Sequence, residues 1–480
     1  MTPPQLIHLP DGQMFTVSPV FAGVGFRSHG HGAHHHPYPV GWTVVLHTDE
    51  DELAADAAGR AAGGSGVEAM PPGTETEEEE ERRRRSRPFT LPTRRGDSLF
   101  ISSIANPPAS EFKPAASPTR QMAMLLWVTL YWYFHHPPPP PPPPPSTAAA
   151  DWRVRVRPDG ALHGRGLLAK LERMGLVACA DAAVAAPDAA ATDVFVSQPM
   201  FWQIPGRLFL YAPEPIRPLA PDASPVAGPS PAPGGPFTST SHLPTYYPPA
   251  PLQYVATHGV RHPLRPRPPR MGDVLYSRFV PSAGRYLAFR VASSSPEPVP
   301  YLGPVGPVAA SAARGHAALV AMSDVALLEA WHANPRVAEF WGPFVPGSLD
   351  RALHAPHSFP VIGLWDGVPF GYFELYWAKE DLLGRHVAGE MGDWDRGVHI
   401  MVGEEWARGK VALWLTSLVH WCLTADLRTM NVCLEPRIDN HRILRHLDAL
   451  GFDKEKQVAL PHKQAWYVRL RRECWQGPAL

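Results

Sequence analysis

The sequence predicts an α/β (α+β) chain in two parts: a compact α/β domain over residues 316–475, preceded by a smaller α+β domain over 1–211 that disordered insertions interrupt. Three observations lead there. After His316, stretches of strand and helix character follow one another with short connections. Asp366-Gly367 between two apolar runs is a strong hairpin signal. And the 59 prolines among 480 residues, about 12% against a usual ~5%, cluster before His316, so the globular part is smaller than the length suggests.

In the first part, Gln13–Arg27 has strand character and Ser98–Ile104 carries a short apolar run. Met122–Phe134 is aromatic and apolar but much shorter than the ~20 residues of a membrane helix, so it reads as a buried helix or strand. Asp151–Val156 alternates as a strand, Gly160–Met174 is a turn and a helix, and Val194–Tyr211 reads as two strands around a Pro-Gly turn. The insertions lie at about 29–36, 60–87 and 137–150: a histidine-rich loop, a solvated run of glutamates then arginines (Glu75–Arg87), and a polyproline II spacer at Pro137–Pro145. Residues 212–315 read as a proline-rich linker with short ordered segments. Its basic stretch Arg261–Arg270 contains PxxP spacing that an SH3 or WW domain would take, although a plain linker is the simpler reading.

In the second part, Ala317–Met322 is expected as a short strand, and Ser323 as the cap of a helix through His332. A second helix should start near Val337 or Ser348. The hairpin Val361–Trp365 and Val368–Trp377 follows, then a buried strand Gly397–Gly403, a loop Trp406–Lys410 and an apolar helix Val411–Ala425. Met430–Glu435 is a strand. Asp439 is placed to cap a helix bearing Ile443, Leu444, Leu447 and Leu450, closed by Gly451, before a final strand Gln464–Arg471. About 160 residues suffice for an independent core.

Forty-four Lys and Arg against 45 Asp and Glu argue against a nucleic-acid or acidic-membrane partner. Four isolated cysteines fit a reducing compartment and no structural zinc site, and no carboxylate or histidine cluster has metal-ligand spacing. Met1–Gly12 lacks the order of a signal peptide, and Pro478-Ala479-Leu480 is not the Ser-Lys-Leu peroxisomal address, so the expected location is the cytoplasm, ahead of the peroxisome.

The most informative junction is the strand GVHIMVG, the loop EEWARGK and the helix that follows. A glycine entering a helix lets backbone N–H groups approach a pyrophosphate, and Arg408 and Lys410 beside Gly409 add charge-assisted contacts. A glycine at a helix start is more often structural; its place after this strand favours the functional reading. His399 on the strand is by default a hydrogen-bonded core residue, and Asp439 by default a cap. Glu374 and Tyr376 share one face of their strand, where they would hold a substrate, with Trp377 and Lys379 nearby. Trp331, Trp341, Trp365 and Trp414 read as core, Cys422 and Cys433 as packing. His462 and Lys463 divide evenly between a structural loop and contacts to phosphate or carboxylate.

The element order resembles the Gcn5-related N-acetyltransferase fold. The motifs ELYWAKED (374–381), DRGVHIMVGE (395–404), RGK (408–410), LRTMNVCLEPRIDN (427–440), LGF (450–452) and LPHK (460–463) resemble the siderophore hydroxamate acyltransferases, both the bacterial hydroxylysine enzymes and the fungal hydroxyornithine transacylases. HLPDGQMFTVSPVF (8–21), LLAKLERMGL (167–176) and SQPMFWQIPGRLFLY (197–211) are similar to the fungal branch. The resemblance implies transfer of an acyl group from acyl-CoA, acetyl-CoA foremost, to the hydroxylamine nitrogen of N5-hydroxyornithine or N6-hydroxylysine, without metal. It further implies His399 as general base with Asp439 assisting, and acyl-CoA held by Met401, Val402, Arg408, Gly409, Lys410 and Asn440. A homodimer, and a first domain that is a degenerate copy of the same fold, are family expectations. The rivals are the same fold acting on an ordinary amine, and an inactive scaffold that recruits partners through its proline segments.

Overall fold

The computed structural model describes residues 3–29, 40–48, 87–106, 117–136, 153–179, 194–211 and 252–480, apart from 95, 165, 308, 310–314 and 388. The histidine tract beyond His29, the charged run up to residue 86, the proline run and residues 212–251 lie outside the described residues. The chain divides into two compact units, whose main spans are Gln13–Ile204 and Pro221–Leu480.

The first unit is built on nine strands: β1 (Gln5–His8), β2 (Met14–Val20), β3 (Gly23–Ser28), β4 (Gly41–Thr48), β5 (Arg87–Pro88), β6 (Asp97–Ala105), β7 (Arg153–Val156), β8 (Ala178–Cys179) and β9 (Val194–Ser197). They run in the order β1-β2-β3-β4-β6-β7-β9-β8, with β5 on β4. The aromatic run is a helix, α1 (Pro118–Phe134), begun by Ser117 accepting the Arg120 N–H and by Pro118 in the first turn. All residues from Met122 to Phe134 are buried. On one side the Trp42 indole donates to Thr129 (3.1 Å) and the Tyr133 hydroxyl to Asp97 (2.8 Å). On the other, Phe201 meets Phe134 and Trp127. The turn and helix after Gly160 form as expected, the helix as α2 (Leu167–Arg173). Of the two strands expected around the Pro205-Gly206 turn, the first ends at Ser197 and gives way to the helix α3 (Gln198–Gln203), because Ser197 caps it through the Met200 N–H and Pro199 fits its first turn, and the second is replaced by a single 3-10 turn, Gly206–Leu208.

The second unit carries the hairpin β10 (Tyr254–Thr257) and β11 (Val260–Pro263) and an eight-stranded sheet. The sheet comprises β12 (Val274–Val280), β13 (Arg285–Val291), β14 (Ser358–Trp365), β15 (Val368–Trp377), β16 (Arg396–Val402), β17 (Asn431–Leu434), β18 (Asp453–Leu460) and β19 (Lys463–Arg471), ordered β12-β13-β14-β15-β16-β17-β19-β18. Two of its strands, β12 and β13, come from the stretch read as linker; proline-rich flanks disguise an apolar strand pair whose inner residues are buried. Among the described residues, four helices join β13 to β14: α4 (Ala317–Val320), α5 (Asp324–His332), α6 (Pro335–Trp341) and α7 (Ser348–Leu353). The expected strand at Ala317–Met322 is thus a helical turn, as its three alanines favour. The edge strand β18 escaped the reading because its charged DKEKQ start is what an exposed sheet edge tolerates. Three further helices, α8 (Leu382–His386), α9 (Val411–Ala425) and α10 (His441–Ala449), complete the unit. One sheet face packs on Leu327, Leu328, Trp331 and Leu349 of the α5–α7 region. The other packs on α9, where Trp414 meets Phe373.

Both sheets share one unusual feature. Their central parallel pair touches at only two positions, Ser98↔Arg155 and Leu99↔Val156 in the first unit, Arg396↔Val432 and Gly397↔Cys433 in the second. Beyond them the strands fork. The strand orders match along their whole length, so the two units are copies of one topology. Aligned on these pairs, Ile101 stands where His399 does, and Val44 where Glu374 does. In the first unit the edge of β6 is closed by its own chain: a Cβ on Gly160 would lie 2.3 Å from the Ile101 carbonyl oxygen.

Candidate functional site

The fork of the second unit places three groups together. His399 lies two residues beyond the last paired position on β16, directly opposite Glu374 on β15. Glu435 follows the last residue of β17, across the fork. His399 Nδ1 is 2.8 Å from Glu374 Oε2 and its Nε2 is 2.6 Å from Glu435 Oε1. Each ring nitrogen faces a carboxylate oxygen, an arrangement in which both nitrogens donate, so the ring is the imidazolium. Burial would lower the histidine; Glu435 and Glu374 outweigh it and hold it well above its ordinary value. Burial would raise Glu435, but His399, Lys463 and Tyr376 bring it down to about 2. Glu374 is lowered too, by His399 and Tyr372 against its own burial.

An aromatic shell orients these groups. The Tyr376 ring sits 4.5 Å from the imidazole and its hydroxyl donates to Glu435 Oε2 (2.6 Å). Tyr372 donates to Glu374 Oε1 (2.7 Å), and Trp341 meets both Tyr372 and His399 edge-on. Gly397 makes room for the Tyr376 ring, which a Cβ would meet at 2.0 Å. Gly397→Ala is therefore expected to push Tyr376 off His399 and cost about 1–3 kcal/mol, read from denaturant unfolding.

The open edge of β16 is the natural track for an extended ligand. The Ile400 carbonyl accepts from the Trp341 indole (3.1 Å) and the Val402 carbonyl from Arg408 (3.4 Å), so both residues direct their backbone away from β15. Met401, alternating with them, turns its carbonyl to Gly371 and buries its side chain in the core. Of the expected pair Met401–Val402, only Val402 therefore faces the fork. Arg408 Nε is buried without a hydrogen-bond partner among the described residues. Arg336 pairs with Glu405, which Arg408 approaches to 3.9 Å. Nothing lies within 4 Å of where a Gly409 Cβ would be. A cationic side chain with an unused donor, an open glycine and a free strand edge fit a phosphate-bearing acyl carrier.

Other expected positions are corrected. Asp439 pairs with Arg437 (2.5 Å) at the surface, while both His399 nitrogens are taken by Glu374 and Glu435. Nor does Asp439 cap α10; Asn440 does, accepting the Ile443 N–H, which commits its side chain to the helix. Lys410 turns to the Trp365 and Trp406 rings, 5.0 and 5.8 Å away. Strand alternation puts Trp377 on the face opposite Glu374, between Arg396 (3.3 Å) and Arg265 (4.6 Å), and Lys379, in the turn beyond the strand, pairs with Asp393. Glu374, Tyr376 and His399 do converge, though Tyr376 is fully buried and serves Glu435. Glu435 was missed, although an acid closing an apolar strand before proline was the available signal. Cys422 and Cys433 are buried, and burial pushes the Cys422 thiol up to about 12, unsuited to nucleophilic work.

A family model described as an acetyltransferase (GNAT) domain matches residues 320–460. The chain is 49% identical to the N5-hydroxyornithine acetylase sidL of Beauveria bassiana, over 96% of this chain and 99% of that protein. It is 35% identical to the N(6)-hydroxylysine O-acetyltransferase of Escherichia coli, over 43% of this chain and 58% of that one. It is 33% identical to the N(5)-hydroxyornithine:cis-anhydromevalonyl coenzyme A-N(5)-transacylase SIDF of Beauveria bassiana, over 57% and 55% respectively. With a forked acetyltransferase sheet and near full-length likeness to a hydroxyornithine acetylase, the chain belongs to the siderophore hydroxamate acyltransferases of the Gcn5-related N-acetyltransferase superfamily.

Proposed function

We propose that the protein transfers the acetyl group of acetyl-CoA to the hydroxylamine nitrogen of N5-hydroxyornithine, in the making of a hydroxamate siderophore. The observation that carries the reading is the proton-handling cluster Glu374–His399–Glu435 at the fork, joined to the near full-length likeness to a hydroxyornithine acetylase. The acyl-CoA would run along the free edge of β16, with its phosphates at Arg408 and Gly409. The hydroxylamine lone pair attacks the thioester carbonyl. As the N–C bond forms, the nitrogen loses a proton, and collapse breaks the C–S bond to release CoA. The Val402 N–H, on the open edge, is the donor offered to the developing oxyanion.

Glu435 is the general base in this reading: His399, expected from the resemblance to be the base, already carries a proton on each ring nitrogen, so its part is to hold and steady the carboxylate. Both ring N–H groups are already engaged, so the proton leaving nitrogen ends on the Glu435 carboxylate, steadied by the imidazolium beside it. No covalent enzyme intermediate is needed. The test is CoA release by the purified protein with acetyl-CoA and N5-hydroxyornithine or N6-hydroxylysine, with the unhydroxylated amino acids as controls. Release that depends on the hydroxylated amine of ornithine is the expected result. Equal release with ornithine itself would move the protein to the ordinary-amine acetyltransferases.

A further inference from the structure

Among the described residues, Lys463 is the one further cation brought to Glu435. It opens β19, at the turn of the β18–β19 hairpin, and its ammonium lies 3.5 Å from Glu435 Oε1, the same oxygen that His399 Nε2 contacts at 2.6 Å. Its side chain is only 20% exposed. An ammonium carries three donors, and among the described residues this long contact is the one it makes. Glu435 meanwhile is supplied by His399 and Tyr376 at shorter range. A mostly desolvated cation whose donors are largely unfilled, beside the reacting histidine, is built to receive an anion.

The position selects which anion. Arg408 bonds the Val402 carbonyl, three residues beyond His399 along β16, whereas Lys463 shares an oxygen with His399 itself. The cofactor's phosphates belong to the former place, the acceptor to the latter. The shared oxygen keeps Lys463 Nζ within about 6 Å of His399 Nε2, and four single bonds, about 5 Å of extended chain, separate Cα from the δ-nitrogen of ornithine. An α-carboxylate thus reaches Lys463 while the far nitrogen stands at the His399–Glu435 pair.

We propose that Lys463 binds the α-carboxylate of the substrate and makes the enzyme select an amino acid over the matching decarboxylated amine; this rests on the hydroxylamine-acylating reading above. The experiment compares kcat/KM for N5-hydroxyornithine and for N-hydroxyputrescine, which lacks only the carboxylate, in the wild type, Lys463→Gln and Lys463→Arg. The expected result is a wild-type preference for the amino acid, the ratio of the two kcat/KM values, that Lys463→Gln reduces about 10–100-fold through the KM of N5-hydroxyornithine, any change in kcat through Glu435 falling on both substrates alike, while Lys463→Arg keeps much of the preference. An equal loss on both substrates, with a shifted pH profile, would overturn the assignment and make Lys463 a group that acts through Glu435. An unchanged preference would overturn it as well. A wild type that acylates neither hydroxylamine, yet acylates an ordinary amine, would instead remove the functional reading and the proposal with it.

Discussion

His399→Ala is expected to bind acyl-CoA normally and to lose about 10²–10⁴-fold in kcat, the usual worth of a positioned acid–base group. The substitution also removes the one cation between two carboxylates, Glu374 and Glu435, which then repel across the fork. One of them should take up a proton near neutral pH. Stability should fall by about 1–3 kcal/mol, read from denaturant midpoints. His399→Gln separates the two effects, since a neutral amide can bond both carboxylates; it should recover part of the stability and none of the rate. Turnover within tenfold of wild type in a folded His399→Ala protein that still binds acyl-CoA would remove His399 from the chemistry.

Glu435→Gln should cost about 10²-fold in kcat by the same reasoning, because it deletes the oxygen on which the proton ends. It has a second signature. With one carboxylate gone, burial regains weight against Glu374 alone, and the His399 pKa should fall toward its ordinary value, which a histidine NMR titration reads directly. The pH dependence of stability follows. Glu435, lowered to about 2, contributes stability that is full above the unfolded carboxyl value and lost as pH falls toward 2. His399, raised, contributes stability that is full below its unfolded value near 6.5 and lost as pH rises through its folded value. The cluster therefore supports the fold most between about pH 5 and 6.5. In Glu435→Gln that advantage over alkaline pH should shrink. An unchanged histidine titration would mean that Glu435 does not hold the ring.

Local rules were enough to read much of the second unit. The Asp366-Gly367 hairpin, the buried strand around His399, the apolar helix Val411–Ala425 and the Ser323 cap all form as their turn chemistry and periodicity indicate. The same rules mistook β12 and β13 for linker, because composition over a hundred residues hid two seven-residue strands. They also left Met122–Phe134 undecided, since a segment buried on every side has no periodicity to betray its period.

The sequence by itself determined the family and the run of strands and helices on either side of His399, because strand alternation, turns and motif spacing are properties of neighbours along the chain. The partner of His399 was decided by tertiary structure alone. Asp439 and Glu435 are four residues apart and equally acidic on paper. Only the parallel register of β16 and β17 carries Glu435 across the fork to the imidazole, while the turn beyond it hands Asp439 to Arg437. Likewise Lys410 and Trp377 were plausible by spacing. The direction in which a side chain leaves its element, set by packing against distant residues, took them from the site and brought Lys463 to it.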